Sequence, residues 1–138
     1  MDIKKKVDQL VKKYGTRNPF ELTKALGIEV VFEPLGDSYG YFSRFNRTII
    51  IHINELLPYK KQVATCAHEI GHVILHPELN SAFLKANTYY LTNKIEQEAN
   101  EFMLELLFNQ EREEIITIHE VTELYGATEQ LLFKKIYS

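Results

Sequence analysis

The stretch between Pro58 and Pro77 constrains this chain more than any other. Proline is tolerated at the first turn of a helix, where its missing N–H is not needed, and it stops a helix that runs into it. The residues between read as one long helix, from Pro58 through about Leu75. Val63, Ala67, Ile70 and Ile74 recur at i, i+4, i+7 and i+11, an apolar stripe that can face a core. His68 and His72 lie four apart, so they project from one face about a turn from each other. Gly71 interrupts this helix at a cost of about 1 kcal/mol relative to alanine. A close approach by a neighbouring backbone would explain its presence.

Around this helix the pattern changes twice. Upstream, Ile3, Val7, Leu10, Val11 and Tyr14 keep helical spacing until Gly15. Asn18-Pro19 then reads as an N-cap and first helical residue, with Glu21 placed for a capping box and Gly27 as the stop. Ile28 to Phe32, Tyr39 to Phe42 and Thr48 to Ile53 are strand-like, and Asn46-Arg47 suits a tight turn. Downstream, Glu78 to Thr92 reads as loop and about Asn93 to Phe108 as helix. Two shorter helical patterns follow, Glu111 to Tyr125 and Thr128 to Tyr137. Helices, then strands, then helices point to an α+β domain. The expected arrangement is a small antiparallel three-stranded sheet packed against the histidine-bearing helix and further helices.

With 138 residues, of which 45% are hydrophobic, the chain suits one domain, 1–138, with a core over about 5–108 and C-terminal helices over 109–138. A net charge of -3 gives no electrostatic reason for direct nucleic-acid binding, and Lys4-Lys5-Lys6 with Lys12 and Lys13 reads as a solvated helix face. Cys66 is the only cysteine, so no internal disulfide is possible, in keeping with a reducing compartment. There is no signal-peptide pattern and no run of about 18 apolar residues, so no membrane role and a cytoplasmic location are expected.

The histidine face carries chemistry. Residues 68 to 72 read HEIGH, and two imidazoles so placed can bind a single zinc ion. Glu69 lies near the same face, placed to act as a base toward a water there. Chance puts such a motif in roughly one chain of this length in a few hundred, from average residue usage. A catalytic zinc usually has three protein ligands and one open position. Residues 95 to 102 read IEQEANEF, where Ile95, Ala99, Phe102, Met103 and Leu106 make an apolar face and Glu96 and Asn100 a stripe beside it. Glu96 can be the third ligand, with Asn100 orienting a histidine. Spacing alone leaves Glu96, Glu98 and Glu101 equally readable as solvated charges.

HEIGHVILH followed by IEQEANEF resembles the ImmA/IrrE family of metallopeptidases, encoded on phages, integrative elements and bacterial chromosomes. The Tyr-Gly stop, the Asn-Pro-Phe-Glu-Leu helix start and the strand ending Ile-His-Ile-Asn are also similar, and the resemblance covers roughly residues 5 to 108. It implies one zinc per chain on His68, His72 and Glu96, the gluzincin arrangement, with Glu69 as general base. It further implies endopeptidase action on a helix-turn-helix repressor, which would derepress mobile-element or stress genes. The alternative is a zinc-binding regulator that docks on a repressor without cleaving it. A module with a purely structural metal is a second rival, although such sites are closed by a fourth ligand and only His76 suggests itself. The chain departs from the family at LELLFNQ, which lacks a usual proline, and at Cys66, which stands for an aliphatic residue and reads as small and buried.

Other residues fit less closely. His76 follows His72 by four and reads as supporting the site. His76, Tyr89 and Tyr90 are the candidates to stabilise an oxyanion. His52 alternates away from Ile49, Ile51 and Ile53, and His119 has no partner in sequence. The strand at Thr48 to Ile53 is a candidate cleft edge on which an extended protein substrate could pair. The C-terminal stretch has a faint helix-turn-helix look but too few basic residues for a recognition helix.

Overall fold

The computed structural model describes residues 1–77 and 89–108. Local signals set the first two helices. Helix α1 spans Ile3–Tyr14, capped by the Asp2 carboxylate, which accepts from Lys5 N–H at 3.0 Å, and ended by Gly15 at φ 71°. Helix α2 spans Pro19–Leu26, with the Asn18 side chain accepting from the amides of Phe20 and Glu21 and Gly27 closing it at φ 73°. Both ends use the left-handed conformation that only glycine adopts cheaply.

Three strands follow, β1 (Glu29–Glu33), β2 (Gly40–Phe45) and β3 (Thr48–Asn54). The sheet corrects the antiparallel expectation: its order is β1-β3-β2, with β3 antiparallel to β2 but parallel to β1. The cause lies in the connections. Asn46 and Arg47, both at positive φ, make a two-residue turn that forces β2 and β3 into a hairpin. The longer link from Glu33 to Gly40 reaches across two strand spacings, roughly 10 Å, and so leaves room for β3 between its ends. Asn54 holds that link in place. Its side-chain amide donates to the carbonyls of Gly36 and Ser38, both at 2.9 Å, and its oxygen accepts from Leu56 N–H at 3.0 Å.

One face of the sheet, with Phe42, Ile51 and Ile53, joins the core. On the other, Ser43, His52 and Glu33 form a hydrogen-bonded row across the three strands (2.9 and 2.7 Å), with Tyr41 stacked on His52. Pairing on both sides uses the main-chain donors of β3, so this row reads as a clamp between strands.

Helix α3 spans Tyr59–Leu75 and packs between the sheet and helix α4, Tyr89–Leu107. It is therefore buried on more than the expected stripe. Ala64, Thr65, Cys66, Ala67, Ile70 and Gly71 are all covered, while Val63 and Ile74 are only half-buried. Helix α4 begins four residues before the expected Asn93. The segment 78–88, the C-terminal patterns and His119 lie outside the described residues. Among the described residues no helix is long and apolar enough to cross a membrane.

Gly71 sets the distance between α3 and α4. A Cβ there would lie 3.1 Å from Phe102 Cβ and 3.2 Å from the Ala99 carbonyl oxygen. Both atoms belong to a packed helix that cannot yield cheaply. Gly71→Val should therefore destabilise the protein by about 2–3 kcal/mol or more, and should weaken any site shared by the two helices. Thermal unfolding with a parallel metal titration checks both effects. Arg17 braces the far end of α4, its guanidinium donating to the carbonyls of Glu105 (3.1 Å) and Leu106 (3.2 Å). These are carbonyls that a helix C-terminus leaves without intrahelical donors.

Candidate metal centre

Because α3 and α4 approach closely at Gly71, side chains three residues before it and one after it can meet α4 across the gap. His68 Nε2 lies 2.9 Å from Glu96 Oε2, and His72 Nε2 lies 2.9 Å from Glu96 Oε1. Two imidazoles on one helix thus converge through their Nε2 atoms on a single carboxylate of the other. The rings of His68 and His72 stand edge to face, with centroids 4.8 Å apart. On its far side the His68 ring meets Asn100, with Nδ1 2.8 Å from the amide oxygen. The nitrogen next to Cβ therefore donates to Asn100, and Nε2 is left to face the cleft.

Glu69 is the other carboxylate here. Ligand atoms of His68, Glu69 and His72 all lie within 4.8 Å of one another, so Glu69 competes with Glu96 as a third donor. Their contacts separate them. Glu96 touches both Nε2 atoms, whereas Glu69 Oε2 is fully buried with no hydrogen-bond partner among the described residues. An orphaned buried carboxylate oxygen costs free energy unless something absent from the bare chain meets it. Two convergent imidazole nitrogens, an ionised carboxylate and this waiting oxygen form a donor set that fits a divalent ion of the zinc type, with Glu69 beside it.

Electrostatics follow the same division. Burial would raise Glu96, but hydrogen bonds and attraction from His68 and His72 win and hold it well below the usual carboxylate range. Burial lowers His72. His68 is also penalised by burial, yet the hydrogen bond to Glu96 and the charges of Glu69 and Glu96 bring it above its ordinary value. Burial pushes Glu69 up to about 7, against the opposing pull of His68. Burial also raises the Cys66 thiol, in keeping with a small buried residue rather than a reactive one.

The Glu69 shift has a thermodynamic counterpart in the metal-free protein. An acid whose folded pKa exceeds its unfolded value binds more protons when folded, so its stability contribution is lost as pH rises through about 7. Glu69→Gln removes that penalty. Metal-free Glu69→Gln should melt above metal-free wild type at pH 8, by an amount equivalent to at most about 3 kcal/mol. The gap should close towards pH 5, as melting curves across pH would show.

His68, Glu69, His72, Glu96 and Asn100 thus come together. His76 does not face the cleft. Its Nδ1 lies 3.3 Å from His72 Nδ1 and its Nε2 3.4 Å from Glu98 Oε1, so both ring nitrogens are engaged in the interior. Tyr89 and Tyr90 begin α4 rather than lying in a loop, and their side chains fall outside the described residues. His52 belongs to the strand clamp. Glu98 is the residue that sequence reasoning missed. It read as a surface charge, yet its side chain is only 20% exposed and reaches His76. Its one signal was the run of glutamates at 96 and 98 opposite histidines spaced by four.

Comparison with known proteins adds to this geometry. Residues 23–136 match a peptidase family described as the IrrE N-terminal-like domain. The chain is 34% identical over 139 residues to "Uncharacterized immunity region protein 2" of Bacillus phage phi105, covering 96% of this chain and 88% of that protein. It is 35% identical over 107 residues to Metallopeptidase ImmA of Bacillus subtilis (strain 168), covering 76% of this chain and 62% of that protein.

Proposed function

The chain belongs to the IrrE N-terminal-like peptidase family and is a metallopeptidase, and from that premise we propose that it is a zinc-dependent endopeptidase acting on a transcriptional repressor. The observation that carries this reading is the convergence of His68 Nε2 and His72 Nε2 on Glu96, beside the partnerless oxygen of Glu69. His68, His72 and Glu96 would hold one zinc per chain. When bound, the metal supplies a Lewis acid for the peptide carbonyl and lowers the pKa of water.

The chain's own residues do the rest. Glu69, with a carboxylate oxygen within 4.8 Å of the ligand atoms of His68 and His72, takes the proton of the attacking water, then returns it to the leaving amine. Burial raises Glu69 in the metal-free protein, the direction that suits a group that must both accept a proton and return it. Asn100 holds the His68 ring so that Nε2 faces the cleft. His76 is engaged with His72 and Glu98, which leaves Tyr89 and Tyr90 as the proposed oxyanion donors. An extended substrate cannot pair with β3, which is hydrogen-bonded on both sides, and this corrects the sequence expectation. Strand β2, an edge of the sheet among the described residues, is assigned that role instead.

A relative named for a phage immunity region supports a regulatory protein as substrate. A DNA-binding repressor is basic on its recognition face, and the net charge of -3 favours its approach. The test is incubation of the zinc-loaded protein with a purified helix-turn-helix repressor from the same genome. Discrete fragments that vanish with a chelator and return with zinc are expected. A repressor that is bound yet stays intact with zinc in excess would favour docking without cleavage.

A further inference from the structure

The contact between His72 and His76 has only one consistent arrangement of protons if His72 uses Nε2 as a ligand, and that arrangement reaches Glu98. A ligand imidazole gives its Nε2 lone pair to the metal, so its proton must sit on Nδ1. His72 Nδ1 faces His76 Nδ1 at 3.3 Å inside the core, where His72 is 2% exposed and His76 9%. His76 Nδ1 must then accept, which moves its own proton to Nε2. That N–H points at Glu98 Oε1, 3.4 Å away. We infer that Glu98 and His76 are positioning residues that fix the tautomer and ring angle of His72 through a two-link hydrogen-bonded chain.

The inference rests on the reading of His68, His72 and Glu96 as the metal site and adds two residues to it. The geometry divides support between the two histidines. Asn100 on α4 holds His68 directly, while Glu98, also on α4, holds His72 at one remove through His76 on the loop side of α3. Helix α4 thus contributes both a ligand and the acceptors that aim the other two. His72 needs the longer chain because its Nδ1 points along its own helix towards the next turn, where His76 stands at i+4.

The test is zinc affinity by competition with a chromophoric chelator, with the visible spectrum of the cobalt-substituted protein as the readout of ligand geometry. The variants are His76→Phe, Glu98→Ala and Glu98→Gln. Supporting hydrogen bonds to a ligand histidine are typically worth 10–100-fold in metal affinity. His76→Phe should therefore weaken zinc binding by about that range and shift the cobalt bands. Glu98→Ala should weaken it by about tenfold, and Glu98→Gln, which keeps an acceptor oxygen, should recover most of the loss. Melting of the metal-free forms shows whether each variant folds. Both His76→Phe and Glu98→Ala binding zinc within about twofold of wild type, with unchanged cobalt spectra, would overturn this inference and leave the site reading intact. Wild type that takes up no zinc would overturn both.

Discussion

Glu69→Gln should bind zinc as tightly as wild type and lose about three orders of magnitude or more of cleavage rate. Glutamine has the shape of glutamate and fits the same buried space, but its amide cannot take a proton from water. General-base catalysis is typically worth about 10²–10⁴-fold, and here the same group also serves as the acid for the leaving amine, so the upper part of that range applies. Metal content should stay near one zinc per chain, because it is Glu96 that pairs with both His68 Nε2 and His72 Nε2. Cleavage of the repressor followed by mass spectrometry, together with metal analysis, separates the two effects. Retention of a tenth of the wild-type rate would remove Glu69 from the chemistry. The same substitution is expected to stabilise the metal-free fold at pH 8, so a loss of activity could not be blamed on unfolding.

Glu96→Ala has the opposite signature. It deletes the carboxylate that pairs with both His68 and His72, and with it the anionic charge that would hold an ion between the two rings. Loss of a supporting residue typically costs 10–100-fold in metal affinity, so loss of a ligand should cost at least about 10²-fold. Activity should fall with it. Glu101→Ala is the control, since Glu101 lies on the same helix with its side chain exposed to water. Equal zinc affinity in Glu96→Ala and wild type would point to Glu69 as the third ligand and reverse the roles of the two carboxylates.

What the sequence revealed depended on how local the physics was. The ends of α1 and α2 could be read almost to the residue because capping involves neighbours only: Asp2 with Lys5, Asn18 with Phe20 and Glu21, and a glycine at each exit. His68, Glu69 and His72 were legible for the same reason, since one turn of helix fixes their relation. The sheet was not. Whether β1 lies beside β2 or beside β3 turns on how far a loop reaches, and no periodicity within a strand records that. The start of α4 was missed because Tyr89 to Thr92 carry no apolar period of helical length. Small residues at Ala64, Cys66, Ala67 and Gly71 were the available hint that α3 would be covered on both sides, by the sheet and by α4. Glu98 stayed hidden because its partner His76 is 22 positions away, and a glutamate on a helix gives no sign of which way it points.

A shortened chain starting at residue 23, where the family match begins, would keep every residue of the metal centre and still lose the brace of that centre. Arg17 lies before that boundary, and its guanidinium holds the end of the helix that supplies Glu96, Glu98 and Asn100. Helix α1 packs on the same helix and would go with it. The metal centre therefore has a larger footprint than its ligand set, since Arg17 and α1, which hold the ligand-bearing helix, lie before the start of the family match.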